Sequence, residues 1–264
     1  MSDIIERVAW PNLTVAEDLK KLRAAVPLTH CITNIVATNF TANILLAIGA
    51  SPAMVVAAEE AGDFASVAQG LLINVGTITR YDREAMLIAA ESAHKAKTPW
   101  VLDPVAAGPL AYRTEIVYEL IKFKPNVIRG NASEIIAVAG ATGNAKGPDS
   151  TAGSDEALPY AKELALKTGS VVAVSGETDY ITDGEKIAAV PGGHILMTKT
   201  TGTGCALGAV IAAFLAVAET DFQAAVNGSV TYAETGLRAA KEARGSGSFA
   251  VRFLDHLSLI GKEY

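Results

Sequence analysis

Short apolar runs alternate with longer helical patterns through most of this chain, and this alternation limits the fold more than any other feature. The runs are "AMVVA", "LLINVG", "WVLDPV", "NVIRG" and "VVAVSG", each stopped by glycine, proline or a polar residue. Segments with helical spacing separate most of them. Apolar strands joined by helices form βαβ units, whose parallel strands are covered on both faces. We therefore expect an α/β fold with a central, mostly parallel sheet between two layers of helices.

The pattern changes after the last of these runs. Residues 179–190, "DYITDGEKIAAV", predict two strands joined by a turn at Asp183-Gly184, which is a typical hairpin signal. From Gly202 onward the spacing is almost wholly helical, with breaks near Thr220 and Gly245. We therefore expect a hairpin and a C-terminal group of helices in addition to the alternating part.

Local signals place further elements in the chain. Thr14 and Glu17 have the spacing of a capping box and predict the start of a helix. A strand is expected over residues 28–33, and a helix over residues 36–48 that ends at the following glycine. Residues 143–156, "GNAKGPDSTAGSDE", are rich in Gly, Ser and Asp and predict a mobile loop.

Composition narrows the class of protein. The 264 residues are half apolar and show no shift in composition, so we expect a single domain over residues 1–264. The net charge of −6, without a long basic run, argues against nucleic acid as the main partner. The most apolar stretch, 205–218, is shorter than the roughly 20 residues of a membrane span. The two cysteines, Cys31 and Cys205, form neither a disulfide framework nor a zinc pattern. With no secretory signal at the N-terminus, we expect a cytoplasmic protein.

Polar and sulfur-containing side chains follow the predicted strands. In parallel α/β sheets, ligands bind outside the carboxyl ends of the strands, so these residues are candidates for a site. They fit ordinary loop capping equally well, and position alone does not separate the two interpretations. The residues are Asn34, Met54, Asn74, Asp103, Arg129, Glu134 and Ser175.

A glycine loop, "GTGC", opens the apolar segment that begins at Cys205. Glycines let the backbone approach a ligand closely, and the amides of a helix N-terminus favour an anion. The plainer alternative is a helix start capped by Thr203. The loop lacks the G-x-x-x-x-G-K-[ST] pattern of a P-loop and the third glycine of the dinucleotide fingerprint. If the loop binds phosphate, its backbone does so in a way that differs from both of these motifs.

Five motifs in order identify a family that the chain resembles. They are "THCITNIVATNFTANILLAIGASPAM" (29–54), "VLDPVAAG" (101–108), "IRGNASEI" (128–135), "VAVSGETDYITDG" (172–184) and "MTKTTGTGCALGA" (197–209). From about residue 13 onward, the chain resembles the hydroxyethylthiazole kinases of the ribokinase-like group. The resemblance implies a ribokinase-like three-layer sandwich. It also implies transfer of the γ-phosphoryl group of ATP, with Mg²⁺, to the hydroxyl of 4-methyl-5-(2-hydroxyethyl)thiazole.

The resemblance makes Cys205 the candidate catalytic residue. Similar sugar kinases carry aspartate at this position, as a base, whereas the thiazole kinases share the cysteine. A thiol at a helix N-terminus has a lowered pKa, so a thiolate base is one interpretation. A small, buried, apolar residue is the other. The resemblance also implies that the amides of Gly202, Thr203 and Gly204 form an anion hole for the transferring phosphoryl group.

Further roles follow from the same resemblance. Met54 and Gly202 match substrate-binding positions, although methionine more often fills a core. Arg129 and Ser175 match ATP-binding positions; the family often has threonine where Ser175 stands, which retains the hydroxyl. An arginine can fork onto phosphate oxygens, whereas its ordinary role is a salt bridge.

The metal and the assembly are also expectations from the resemblance. Glu134, in an N-x-x-E element, and Asp103 are the candidates for holding Mg²⁺, with water between, although Asn131 and Glu134 also suit a helix cap. The expected assembly is a homotrimer with sites between subunits. The alternatives are a kinase for hydroxymethylpyrimidine or another small alcohol, and a non-catalytic regulator that binds nucleotide or thiazole. The intact GTGC loop and Glu134 argue against a regulator, because pure binding does not need both.

Overall fold

The computed structural model describes residues 4–140 and 153–262, and the strands within them form one sheet. Its order is β1-β9-β8-β7-β6-β5-β4-β2-β3. All neighbours are parallel except β8, which is antiparallel to β7 and β9. The strands are β1 (Ile5–Arg7), β2 (Leu28–Ile32), β3 (Ser51–Ala53), β4 (Gly70–Asn74), β5 (Trp100–Asp103), β6 (Val127–Asn131), β7 (Val171–Ser175), β8 (Thr178–Thr182) and β9 (Ile187–Pro191). The mostly parallel sheet predicted from the apolar runs is thus confirmed.

Helices cover both faces of this sheet. They are α1 (Leu13–Ala25), α2 (Thr38–Ile48), α3 (Ala58–Val67), α4 (Arg80–Ala96), α5 (Ala111–Ile121), α6 (Ala132–Val138), α7 (Leu158–Thr168), α8 (Thr203–Leu215), α9 (Asp221–Glu242) and α10 (Ser246–Leu259). Successive strand residues point to opposite faces, so Leu72 joins one apolar core, and Leu71 and Ile73 join the other. The first core packs against α1, α2 and α8–α10, and the second against α3–α7.

The predicted hairpin is present as β8 and β9, and the C-terminal segment is helical, with breaks before α9 and α10. Other local predictions are wrong. The N-cap of α1 is Asn12, whose side chain accepts from Val15 N, so Thr14 and Glu17 lie inside the helix. The run "AMVVA" contributes only its first residue, Ala53, to β3. Strand β1, which pairs with β9, is not among the predicted elements.

The start of α2 differs slightly from the prediction, and one loop is only partly described. Helix α2 begins at Thr38, two residues later than expected, and ends at Gly49, whose φ of 105° suits glycine. Of the predicted mobile loop, residues 143–152 lie outside the described residues, and residues 154–156 belong to a turn before α7. No helix among the residues described is both long and apolar enough to cross a membrane.

The connections create a crevice between β2 and β4. From β2 the chain moves outward to β3, then crosses back to β4 and continues through β5, β6 and β7 in the other direction. Ligands of open α/β sheets bind outside the carboxyl ends of the strands at such a switch point. Helix α8 lies directly on this region, because a Cβ on Gly208 would come within 2.8 Å of Leu72 Cδ1 on β4. The fold therefore brings the N-terminus of α8 to the crevice.

Candidate active site

Side chains at the carboxyl ends of five strands form a continuous row across the sheet. Asn34 Nδ2 donates to Asn74 Oδ1 at 3.0 Å, and Asn74 Nδ2 donates to Asp103 Oδ2 at 2.7 Å. Arg129 Nη1 lies 3.6 Å from the same Asp103 oxygen. Arg129 also donates to Ser175 Oγ from Nε at 3.0 Å and from Nη2 at 2.7 Å. Five of the strand-end candidates thus lie in one network.

Cys205, in the first turn of α8, joins this network. Asn34 Nδ2, which also bonds Asn74, lies 3.2 Å from Cys205 Sγ and donates to it. Burial raises the pKa of the Cys205 thiol, and the negative charge of Asp103 raises it further. The hydrogen bond from Asn34 and the positive charge of Arg129 oppose this effect without overcoming it. Burial thus acts on the pKa of Cys205 in the direction opposite to the lowering expected at a helix N-terminus.

The backbone of the GTGC loop presents free amides next to Cys205. Gly202 adopts a φ of 85°, which is the left-handed region that favours glycine, and α8 starts from it without a side-chain cap. Thr203 N donates to Thr200 O at 3.3 Å. Within the described chain, the amides of Gly204 and Cys205 have no acceptor. The Gly202 amide likewise has no acceptor among the described residues, so of the predicted anion hole only the Thr203 amide is already used.

Arg129 is the charged centre of the site. A Cβ placed on Gly204 would lie 4.0 Å from both terminal guanidinium nitrogens of Arg129. Burial alone would lower the pKa of Arg129, yet the carboxylates of Asp103, Asp179 and Glu134 raise it above its usual value. The guanidinium is therefore a permanent cation, held by Ser175 and directed toward the glycine loop.

The two predicted Mg²⁺ ligands, Glu134 and Asp103, differ in how many of their carboxylate oxygens already accept hydrogen bonds. Glu134 Oε2 accepts from Asn131 N at 2.8 Å as part of a capping box on α6, and Oε1 accepts from Ala106 N at 3.0 Å. Asp103 Oδ1 is buried and has no hydrogen-bond partner among the described residues. Burial raises the pKa of Asp103 to about 7, and the charge of Arg129 opposes this.

Asp103 and Glu134 fit Mg²⁺ only if a bound ligand supplies further oxygens to the ion. The orphaned Asp103 oxygen suits a hard cation, as do the remaining lone pairs of Glu134. Elsewhere in the described residues, too, no group of three or more His, Cys, Asp or Glu side chains forms a metal cage. Mg²⁺ commonly binds one or two carboxylates together with phosphate oxygens and water. The carboxylates of Asp103 and Glu134 match this coordination.

A cavity of about 620 Å³ extends from the charged end of this site. Arg129, Ser175 and Gly204 line one part, and apolar side chains line another. Asp179, whose pKa burial raises to about 6, also lines it and accepts from Gly176 N at 2.9 Å. The apolar lining comes from Val190, Ile195, Met197, Leu207 and Tyr232. An anionic group with a flat, less polar part matches this combination.

Met54 does not lie in the polar row. It follows the edge strand β3, is half-buried and packs against the apolar core. The next carbonyl, Val55 O, lies 2.7 Å from His30 Nε2 on β2, which holds the segment in place. The predicted role of Met54 toward a substrate stays a prediction.

Two residues of the site carry no usable sequence signal. Asp179 belongs to a hairpin pattern, and Tyr232 is one aromatic residue inside a long helical segment. The sequence marks Asn34 and Asn74 only as strand-end residues, without a role. Their contact with Cys205 depends on the order of the strands, which the motifs alone do not reveal.

Known proteins similar to this chain match it over nearly its whole length. The model of the hydroxyethylthiazole kinase family matches residues 19–263. A protein named hydroxyethylthiazole kinase from Leptospira interrogans serovar Lai is 59% identical over 260 residues, which cover 98% of each chain. A protein of the same name from Tolumonas auensis is 52% identical over 254 residues, covering 96% of this chain and 95% of that protein.

Solved structures agree. The hydroxyethylthiazole kinase protein from Pyrococcus horikoshii OT3 matches with a TM-score of 0.86 and 39% identity, covering 93% of each chain. A ribokinase-like superfamily protein from Enterococcus faecalis V583 is 13% identical with a TM-score of 0.68, which shows a shared fold alone. The ribokinase-like sandwich expected from the sequence is therefore confirmed. Since the family model matches nearly the whole chain and relatives share more than half of its residues, this chain belongs to the hydroxyethylthiazole kinase family.

Proposed function

We propose that this enzyme transfers the γ-phosphoryl group of ATP to the hydroxyl of 4-methyl-5-(2-hydroxyethyl)thiazole. A bond forms between the alcohol oxygen and the γ-phosphorus, and the bond from that phosphorus to the β,γ-bridging oxygen breaks. The products are the thiazole phosphate, ADP and a proton. The single observation that carries the proposal is the junction of the polar row with the free amides of the GTGC loop, in a chain of this family.

The nucleotide occupies the cavity beside β7. Arg129 and Ser175 bind its phosphates, since a buried, permanently charged guanidinium is the strongest donor there for phosphate oxygens. The apolar lining accommodates the base. The amides of Gly204 and Cys205 then receive the oxygens of the transferring group, where charge is stabilised during transfer. Gly202 contributes the turn that presents these amides and borders the alcohol.

Cys205 is the residue that receives the hydroxyl proton. Because its pKa is raised, Sγ is a thiol in the free site, and it accepts this proton only in the minor fraction of sites where it has first lost its own proton to solvent. Phosphoryl transfer depends mostly on positioning and charge stabilisation, and it needs little help from a base until late. Asp103 and Glu134, with water between, would hold Mg²⁺ together with phosphate oxygens, and the ion would neutralise part of the phosphate charge. Asn34 holds Sγ in place while the alcohol approaches.

We further propose a homotrimer in which Met54 contacts the thiazole at a site between subunits. Ile35 and Val36 follow β2, and Val56 follows the neighbouring edge strand β3, so all three lie beyond the carboxyl ends of two adjacent strands. All three side chains are exposed, and Ile35 is 82% exposed. Apolar side chains gathered at one place on a surface favour an interface. The cytoplasmic location stays a prediction.

Release of ADP in the presence of a panel of alcohols tests the proposed reaction. The panel contains the thiazole alcohol, hydroxymethylpyrimidine and a small sugar alcohol, each with ATP and Mg²⁺. We expect the highest kcat/KM for the thiazole alcohol. A higher value for the pyrimidine would favour the alternative kinase. Tight binding of thiazole or nucleotide without release of ADP would favour a regulator.

A further inference from the structure

We infer that Tyr232 is a positioning residue that fixes the glycine loop for phosphoryl transfer, by donating its phenol hydrogen to the carbonyl of Thr203. The inference rests on the proposed function, because it assigns the loop a role toward the transferring phosphoryl group. Tyr232 lies on α9, a different helix from the one that the loop opens. Its hydroxyl oxygen is 2.7 Å from Thr203 O, and the bond is buried.

The hydrogen bond acts on the residue between the two glycines of the loop. Thr203 is itself buried, and its hydroxyl donates back to Thr200 O at 2.8 Å. Gly202 and Gly204, on either side, have no side chains that could anchor the loop. Tyr232 therefore supplies a contact from another helix to a residue whose own donors, the amide and the hydroxyl, both bond only to Thr200, next to the loop. The free amides of Gly204 and Cys205 follow directly after this anchored carbonyl.

The tyrosine ring is held from behind by aromatic packing. It meets Phe253 of α10 edge-on, with ring centroids 4.7 Å apart, and Phe253 in turn lies 5.7 Å from Phe249. Both phenylalanines are fully buried. Because the ring cannot move without disturbing this column, the hydroxyl is directed at Thr203 O in a fixed geometry. The column thus links α10 to the start of α8.

The chemistry of the phenol suits a donor and not a proton acceptor. Burial raises the pKa of Tyr232 far above its usual value, so its hydroxyl stays protonated. A carbonyl oxygen is its acceptor, which leaves no free proton to give to a substrate. The ring also lines the large cavity next to Arg129 and Gly204. Loss of the hydroxyl alone should therefore leave the cavity in shape and loosen the loop.

The test compares Tyr232→Phe with Tyr118→Phe in the full-length enzyme. Tyr118 OH also donates to a backbone carbonyl, Ala137 O at 3.2 Å, but it lies on α5, away from the loop. Each variant thus loses one phenol hydrogen bond to a carbonyl. The measurements are kcat, the two KM values, and the affinities for ADP alone and for ADP with aluminium fluoride, which mimics the transferring group.

We expect Tyr232→Phe to lower kcat roughly three- to tenfold, which corresponds to one neutral hydrogen bond. The affinity for ADP with aluminium fluoride should fall by a similar factor, while the affinity for ADP alone and both KM values stay within about twofold. Tyr118→Phe should leave all of these unchanged. Equal kcat and equal aluminium fluoride affinity in Tyr232→Phe and wild type would overturn the inference. So would a parallel loss of ADP affinity, which would indicate general disturbance of the cavity.

A second readout does not depend on turnover. Iodoacetamide should label Cys205 and spare the fully buried Cys31, which mass spectrometry of the peptides verifies. If Tyr232 holds the first turn of α8, Tyr232→Phe should be labelled at Cys205 roughly three- to tenfold faster than wild type or Tyr118→Phe. An unchanged labelling rate would overturn the inference. Wild-type enzyme that releases no ADP with the thiazole alcohol would overturn the proposed reaction, whereas this labelling comparison would still decide the role of Tyr232.

Discussion

Arg129 joins the acidic side of the site to its hydroxyl side, since it contacts Asp103 and donates twice to Ser175. We predict that Arg129→Ala raises the KM for ATP roughly ten- to a hundredfold, because hydrogen bonds to charged groups are worth about 1.5–3 kcal/mol each. The KM for the thiazole alcohol should change less. Steady-state kinetics with each substrate varied in turn measure both values.

Arg83→Ala is the matched control for this change. Arg83 donates to both carboxylate oxygens of Glu119 at 2.7 and 2.9 Å, in an ion pair between α4 and α5 that is partly exposed. Its loss should leave both KM values unchanged, because surface ion pairs contribute little. If folded Arg129→Ala retained the wild-type KM for ATP, Arg129 would be a structural residue and not a nucleotide ligand.

The protonation state of Cys205 leads to a pH prediction. Its pKa is raised, so the thiolate should form only above the pH at which an ordinary cysteine, with a pKa of about 8.5, ionises. The rate of alkylation by iodoacetamide should therefore keep rising with pH beyond that value, since only the thiolate reacts. A midpoint clearly below about 8.5 would mean that the helix N-terminus and Arg129 outweigh burial.

The same protonation state limits what Cys205 contributes to catalysis. Cys205→Ser keeps a small group with one hydrogen at this position but is less acidic, so kcat should fall by less than about a hundredfold, the lower end of general-base effects. Both KM values should change little. Cys205→Asp, which places there a group that ionises far below the pH at which a thiol does, should remain active. Wild-type kcat in the serine variant together with an inactive or unfolded aspartate variant would contradict a role as proton acceptor.

The start of α8 depends on the backbone as well as on side chains. Gly202 has a φ of 85°, and we predict that Gly202→Ala lowers stability by about 1 kcal/mol and also lowers kcat, because the strained turn shifts the amides that follow it. The added Cβ would meet Ala37 Cα at an ordinary 3.4 Å. Overlap therefore does not explain the expected loss, and thermal unfolding with steady-state kinetics measures both effects.

Gly169→Ala is the control that separates the effect of backbone strain on stability from an effect on kcat. Gly169 ends α7 with a φ of 73°, and a Cβ there would meet nothing within 4 Å. We expect the same loss of stability as for Gly202→Ala, with unchanged kcat. If both variants lost activity in proportion to stability, the glycine at 202 would matter only for folding.

Elements whose signals are local can be predicted from the sequence, and those set by tertiary contacts cannot. Asp183-Gly184 fixes a tight turn, and the flanking strands follow from it. The run "AMVVA" is as apolar as a strand, yet most of it leaves the sheet, and the His30 hydrogen bond to Val55 holds it there. Strand β1 is three residues long and exposed, and only its pairing with β9 makes it a strand.

The whole molecule determines which residues of the site meet. The rule that ligands bind at the carboxyl ends of parallel strands predicts the polar row from the sequence, because Asn34, Asn74 and Asp103 each follow or end a strand. The rule does not predict that Asn34 reaches Cys205, 171 positions away, since this contact needs α8 laid on β4. Tyr232 reaches the loop from α9, and a single tyrosine in a helix carries no pattern.

The exposed apolar side chains at the end of β2 and β3 allow a test of the proposed trimer. Ile35 is 82% exposed, and its amide donates to Thr77 Oγ1 at 3.2 Å, so its backbone is held beside the crevice while its side chain faces outward. We predict that Ile35→Asp lowers the molecular mass in light scattering from three chains toward one, because an interface buries a charge poorly. The KM for the thiazole alcohol should rise at the same time, since Met54 lies close in sequence to Val56 at the same end of the sheet.

Leu166→Asp, at a 66% exposed position on α7, should remain trimeric with unchanged KM. A wild-type protein that is monomeric by light scattering would contradict the trimer, and a monomeric Ile35→Asp with wild-type KM would place the whole thiazole site within one chain.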